Sequence, residues 1–265
     1  MNSGLFKSIR QLGKNFERNL TLIKWYKPKR NQQNLKYTAH MLAVKNLDYL
    51  RIGKIAVASF LFHNPGSKVT IHCDKITKNG AENVFKYFIK KNLVNLSEVS
   101  SDIDPWQIQK IQLFKQICNL ELNFYMDCDV RWNGTLDLPS ISTCYVREFK
   151  LKDKSPFREL ISTLQVVDPE AEMLNSTFVY LFPAHFELGE FNQIFSIYED
   201  ILNKCDSGFI ADLDIENIER LSEQLAFSIF MANSGRVLSA LKSQDGHMDG
   251  RFLESSYFGA TGVEF

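Results

Sequence analysis

The chain has 265 residues, 45% hydrophobic, 23% charged and 12% aromatic, a balance that excludes disordered, collagen-like and disulfide-scaffold classes. Formal net charge is zero, 31 basic against 31 acidic side chains, which taken alone argues against a polyanion-binding protein. The total hides a split: residues 1–36 carry nine Lys/Arg against Glu17 alone, about +8, and the other 229 residues hold 22 basic and 30 acidic side chains, about −8.

No apolar run reaches the roughly 18–20 residues that span a bilayer, and the first residues lack the pattern of a secretory signal. The five cysteines (73, 118, 128, 144, 205) are odd in number and form no CxxC pair, so reduced thiols in a cytosolic protein are expected. The Asn-x-Ser/Thr sequons at Asn19, Asn95, Asn133 and Asn175 are read as chance matches.

In chain order, Leu5, Ile9, Leu12, Phe16, Leu20 and Ile23 recur at three- and four-residue spacing, which predicts an amphipathic helix in a basic arm over residues 1–36. Trp25, Tyr26 and the tract Lys27-Pro28-Lys29-Arg30 follow. The arm either packs on the protein's own body or lies on an anionic membrane surface, and nucleic acid is the third and weakest candidate. A single domain over 37–265 comes next.

Within it the pattern predicts a strand at Tyr37–Val44, a helix at Ile52–Phe62, a strand at Lys68–Cys73 and a helix at Ala81–Lys91. A strand near Leu93–Val99, a helix at Trp106–Leu120 and a short apolar run at Leu122–Met126 complete the first half. Strands at Thr143–Phe149 and Thr177–Phe182 and helices at Glu190–Asn203 and Glu216–Ala232 follow. Such alternation indicates an α/β fold with a mixed, mostly parallel central sheet flanked by helices.

The most informative stretch is Asn123-Phe-Tyr-Met-Asp127-Cys-Asp129, a buried apolar strand that ends in two carboxylates. Ligands of open α/β sheets bind outside the carboxyl ends of the strands. Carboxylates at i and i+2 of an extended chain share a side and can hold one hard divalent cation, leaving positions for phosphate oxygens. Haloacid-dehalogenase-type phosphatases also use Asp-x-Asp followed by Gly-Thr-Leu. Here Val130–Asn133 intervene before Gly134-Thr135-Leu136, and most of the α/β pattern precedes the motif.

A series of short motifs over roughly residues 37–253 resembles type-A-fold nucleotide-sugar glycosyltransferases, in particular the glycogenin and galactinol-synthase-like family. Asn46-Leu-Asp-Tyr49 is similar to the family's Asn-x-x-Tyr, and Lys110 lies where the family carries a basic residue on the helix feeding the acidic strand. Asp127-Cys-Asp129 takes the place of the Asp-x-Asp motif. Leu174-Asn175-Ser176-Thr177 looks like the family's Asn-Ser-Gly strand start, with Thr177 for the glycine. Ser222-Glu223-Gln224 stands for Asp-Gln, and Gly246-His247-Met-Asp-Gly250-Arg251 is similar to His-x-x-Gly, with Leu253 near the place of the family's lysine.

The resemblance implies a single nucleotide-diphospho-sugar transferase domain, with a nucleotide-binding half at 37–130 and a sugar and acceptor half at 131–265, that moves a hexose from a nucleotide-sugar, expected to be a UDP-sugar, to a glycan, lipid-linked or other acceptor with retention. It implies Mn²⁺ or Mg²⁺ on Asp127, Asp129 and His247. It implies nucleotide-sugar binding by Asn46, Tyr49, Asn175, Ser176, Gly250 and Arg251, and work at the reacting centre by Glu223, Gln224 and Lys110. Trp132, Phe149 and Phe157 lie in the segment that would face the acceptor, with core packing as the competing role. The alternatives are a haloacid-dehalogenase-type phosphatase and a non-enzymatic membrane-surface module; a cytoplasmic location, peripheral at the membrane, is expected.

Overall fold

A computed structural model describes residues 36–100, 105–132, 136, 143–153, 155–164, 166, 168, 171–183, 186–206, 218–219, 221–235, 238–240 and 252–254. The basic arm, apart from Lys36, and the stretch from Gly246 to Arg251 lie outside the described residues.

The first strand, β1 (Thr38–Ala43), is buried on both faces and leads into α1 (Leu47–His63). The helix starts five residues before the expected Ile52, because Asn46 is its N-cap and accepts from Asp48 N at 2.9 Å. The link between them is tight: Lys45 has φ 63° and Asn46 N donates to Val44 O at 2.7 Å. Gly66, at φ +88°, turns the chain into β2 (Lys68–Cys73).

The helix expected at Ala81–Lys91 is two helices, α2 (Lys75–Val84) and α3 (Lys86–Lys90), meeting at Phe85. Asp74 and Thr77 form a capping box that starts α2 six residues early, over a polar first turn with no apolar periodicity to betray it. This box also holds the neighbouring loop. Lys45 N donates to Asp74 Oδ2 at 2.8 Å, and Thr77 Oγ1 donates to Ala43 O at 2.7 Å.

After β3 (Val94–Glu98), α4 (Trp106–Ile117) feeds β4 (Asn123–Met126), and a short β5 (Val130–Trp132) follows. The second half comprises β6 (Thr143–Lys150), α5 (Ser155–Thr163), β7 (Glu172–Tyr180), α6 (Glu190–Asp206), α7 (Ser222–Ser234), β8 (Leu238–Ala240) and β9 (Phe252–Glu254). Seven strands form one sheet in the order β3-β2-β1-β4-β7-β6-β8, and β5 pairs with β9 in a separate ribbon. β1 to β4 are parallel, β7 is antiparallel to both β4 and β6, and β6 is parallel to β8. The sheet is therefore mixed and mostly parallel, as expected.

The antiparallel β7 begins at Glu172, five residues before the expected Thr177, and Met173 to Tyr180 are buried throughout. Asn175-Ser176-Thr177 consequently lies inside the strand and not at its start. The β6–β7 register breaks there: Tyr145 pairs with Val179 but Val146 pairs with Asn175, so the ladder skips Ser176, Thr177 and Phe178. Bulges of this kind bend a strand and re-aim its side chains.

Apolar side chains fill both faces of the sheet. Leu42, Tyr125 and Val179 join Phe114, Ile194, Phe227 and Phe230 in the main core with α4, α6 and α7. Elsewhere Phe60, Phe124, Trp132 and Phe178 pack with ring centroids 5.1–6.1 Å apart. Trp132 is 1% exposed and Phe157 6%, so both are core residues and not walls of an acceptor site.

One polar chain runs through this interior. Asn123 Nδ2 donates to Glu121 O at 2.8 Å, which leaves Asn123 Oδ1 to accept from His40 Nε2 at 2.7 Å. His40 Nδ1 is then the acceptor for His72 Nε2–H at 3.0 Å, and His72 Nδ1 is left as a buried lone pair with no partner. Both rings are stacked, with centroids 5.3 Å apart.

Candidate active site

The site lies where the parallel strands meet the reversed β7. Asp127 follows β4 directly, and its backbone N–H donates to Thr177 O at 2.8 Å, which ties the acidic turn to the bulged part of β7. The strand stops at Met126 and a turn at Cys128 and Asp129 follows, in place of the expected extended strand end. The alternation survives: Asp127 and Asp129 are partly exposed and Cys128 between them is buried.

Lys110 is the hub. It reaches from the middle of α4 with 3% of its side chain exposed, and its Nζ donates to Asp127 Oδ1 at 2.9 Å and to Ser176 Oγ at 2.7 Å. Glu223 Oε1 lies 3.6 Å from the same nitrogen and accepts from Ser176 Oγ at 3.1 Å. The ammonium also sits 4.8 Å from the Tyr125 ring centroid and 5.9 Å from that of Trp106. Burial acts to lower the Lys110 pKa, but Asp127 and Glu223 outweigh it and the pKa is raised, so this lysine stays a cation.

Glu223 comes from the first turn of α7 and is 1% exposed. Burial raises its pKa against the pull of Lys110, and the Asp127 charge adds to the rise. Its Oε2 is buried with no hydrogen-bond partner. An unmet acceptor of this kind costs stability unless a ligand supplies the donor. The next residue, Gln224, accepts from Ser176 N at 2.8 Å, so two successive residues of α7 grip the bulge. Asn175 is buried and accepts from Thr177 N at 2.7 Å.

Tyr125, to which the sequence gives no role beyond its place in an apolar strand, donates its hydroxyl to Asp127 Oδ1 at 2.5 Å. Burial, the Asp127 charge and this bond push its pKa well above the ordinary tyrosine range, so it remains a donor. Its polar role was readable only from strand parity, since positions 125 and 127 share a face.

Tyr49 lies near the acidic turn, 46% exposed. Its pKa is raised by partial burial first and then by Cys128, Asp129 and Asp127, so the hydroxyl lies within the field of the acidic pair. It shares the face of α1 with Gly53, four residues on. A Cβ at Gly53 would stand 2.8 Å from Met41 Cε and 3.5 Å from Cys128 Cβ, so the bare glycine lets α1 approach β1 and the turn. Asn46 spends its side-chain oxygen on the helix cap.

The structure thus brings Lys110, Asp127, Ser176, Glu223 and Gln224 into one hydrogen-bonded cluster, with Asn175 in the strand beside it and Tyr49 and Asp129 at its margin. His247, Gly250 and Arg251 lie outside the described residues. Among the described residues no group of three or more His, Cys, Asp or Glu is placed to hold a metal ion. The donor set nonetheless fits a hard cation in part. Asp127 receives both of its donors on Oδ1, leaving Oδ2 for a ligand, and Asp129 adds a second oxygen donor type two residues on.

Compared with solved structures, the chain is similar to an active-site mutant of LgtC, with TM-score 0.50 and 10% identity over 78% of this chain and 73% of that one. The galactosyltransferase LgtC in complex with donor and acceptor sugar analogues gives TM-score 0.49 and 11% identity over the same shares. The bifunctional glycosyltransferase WbbM gives 0.45 and 12%, covering 77% of this chain and 38% of that one. No protein-family model matches, and no curated protein matches by sequence. At such identities the likeness establishes the fold: a mixed α/β domain of the type-A glycosyltransferase kind.

Proposed function

We propose that this type-A fold carries a metal-dependent glycosyltransferase that moves a hexose from a nucleotide-sugar, a UDP-sugar, to a glycan or lipid-linked acceptor. The observation that carries the proposal is the Lys110 cluster. A permanently charged lysine, a carboxylate with one oxygen left for a ligand and a buried carboxylate with an unmet acceptor meet outside the end of a parallel strand. This combination suits a substrate that is anionic at one end and rich in hydroxyls at the other.

In this reading Asp127 and Asp129, with His247, hold Mn²⁺ or Mg²⁺. Bound there, the cation would neutralise the diphosphate as it departs. Tyr49 stacks on the base, Asn46 lines the nucleotide, and Gly250 and Arg251 bind the phosphates. Lys110 supplies a fixed positive charge where negative charge develops on the leaving oxygen, at no cost in reorganisation. Glu223 Oε2 accepts from a sugar hydroxyl, while Gln224, Asn175 and Ser176 fix the sugar's orientation. Retention rests on the glycogenin-like resemblance alone.

UDP with Mn²⁺ is expected to raise the melting temperature. At about 100 times Kd the linkage is worth ~2.7 kcal/mol, and each kcal/mol moves a domain of this size by about 2–4 °C. Asp127→Asn should abolish the Mn²⁺-dependent part of the shift. A panel of UDP, UDP-sugars and Mn²⁺ at millimolar concentration that moves the wild-type melting point by nothing removes the proposal.

The basic arm is assigned in the same reading to an anionic membrane surface, at a cytoplasmic, peripheral location. Co-sedimentation with phosphatidylserine vesicles should require residues 1–36 and weaken as salt rises. Equal pelleting of the full and truncated chains would exclude this role for the arm.

A further inference from the structure

The metal reading assigns Asp127 a ligand's task but leaves open what holds its carboxylate in register, and the structure supplies two donors for that purpose. Lys110 Nζ and the Tyr125 hydroxyl both end on Oδ1, at 2.9 and 2.5 Å. Neither is free to follow the carboxylate if it turns. Lys110 is anchored by Ser176 Oγ at 2.7 Å and faces Glu223 Oε1 at 3.6 Å. The Tyr125 ring is 2% exposed and packs edge-on against Phe114, with centroids 5.2 Å apart.

We propose that the Tyr125 hydroxyl is a positioning residue for the cation site: with Lys110 it occupies Oδ1 of Asp127 and so presents Oδ2, in one fixed orientation, to the divalent cation. The inference rests on the metal reading above and goes beyond it in naming what orients the ligand. Lys110 alone cannot do this. A single donor, however firmly anchored, leaves the carboxylate able to pivot about that one bond. Two donors arriving from α4 and from β4 itself fix its plane. The hydroxyl is otherwise an odd presence, because phenylalanine would fill the same core space.

The variant Tyr125→Phe keeps the ring, its contact with Phe114 and the face presented to Lys110, and removes only the hydroxyl. Outer partners of metal ligands are worth about 10–100-fold in metal affinity. Mn²⁺ binding to the full chain in the presence of UDP, read from the loss of the free-Mn²⁺ paramagnetic resonance signal, is therefore expected to weaken by about that factor in Tyr125→Phe. The control Asp127→Asn should not bind at all. In parallel, the Mn²⁺ concentration for half-maximal turnover should rise while turnover at saturating Mn²⁺ falls less than about threefold. A purely structural hydroxyl would instead lower the melting point and leave the Mn²⁺ affinity of the folded fraction unchanged.

Wild-type affinity in folded Tyr125→Phe, with Asp127→Asn still unable to bind, overturns the inference and leaves the metal reading standing. Failure of the wild-type chain to bind Mn²⁺, or binding by Asp127→Asn equal to wild type, overturns both. Should Tyr125→Phe not purify folded, Tyr125→Met removes the hydroxyl with a side chain that adapts to irregular space, and the same two readings apply.

Discussion

Lys110→Met is expected to destabilise the fold by about 3–5 kcal/mol, the usual cost of removing one partner from a buried ion pair. The magnitude follows from what stays behind. Glu223 is 1% exposed and would lose its only cationic neighbour among the described residues, and Asp127 would lose one of the two donors to its Oδ1. A domain of this kind is stable by only about 5–15 kcal/mol, so urea unfolding should resolve the effect easily. Glu223→Gln added to Lys110→Met should recover part of the loss, because an amide needs no counter-ion. A Lys110→Met protein within about 1 kcal/mol of wild type would show that the charge is not part of the folded network.

The second large effect is on acid stability. His72 has its pKa lowered to about 3, by burial first and then by His40, and His40 is lowered by burial against the help of Asn123. Unfolded histidine titrates near 6.5, so below that the unfolded chain takes up protons that the folded pair refuses. For His72, stability present above pH ~6.5 is then lost as pH falls toward 3, at up to ~1.4 kcal/mol per unit, and His40 acts in the same direction. The tautomers explain the refusal. A proton on His40 Nδ1 would face the His72 Nε2–H, and a proton on His72 Nδ1 would face no acceptor. For His72 alone the loss by pH 5 is about 2 kcal/mol. His72→Gln keeps a donor toward His40 and does not titrate. Its stability should fall with pH less steeply than wild type by about one proton, and parallel curves for the two proteins would refute the assignment.

Much of this architecture was legible in the pattern of apolar residues. β2 at Lys68–Cys73 matches its expected bounds, and the acidic pair stands at the end of a parallel strand as the apolar run before it implied. What misled was polar chemistry used locally. Asn46 and Asp74 start helices several residues before any apolar periodicity begins, and Asn175-Ser176-Thr177 resembles a strand start because three polar residues rarely sit inside a doubly buried strand. Ser176 can be there because Gln224, Glu223 and Lys110 bond it from two helices, contacts with sequence separations of 47–66 residues that no local pattern reveals, and beside it Thr177 N donates to Asn175 Oδ1. Tyr125 escaped notice for the opposite reason: it looks like any core aromatic until Asp127 is placed beside its hydroxyl.

The register break in β7 has a bearing on how the protein comes into being. β1 to β4 can assemble from chain that ends near residue 126, but the site cannot. Ser176 reaches Lys110 only after β7 has paired antiparallel with β4 and α7 has closed over the skipped residues. Such distant contacts form late, because the chain must lose loop entropy before they return anything. A nascent or partly refolded chain with the parallel strands in place would display Lys110 and Asp127 without the partners that make them a binding site. Ligand competence is thus a report on the last long-range pairing, and a ligand bound at this cluster would select for chains that have completed it.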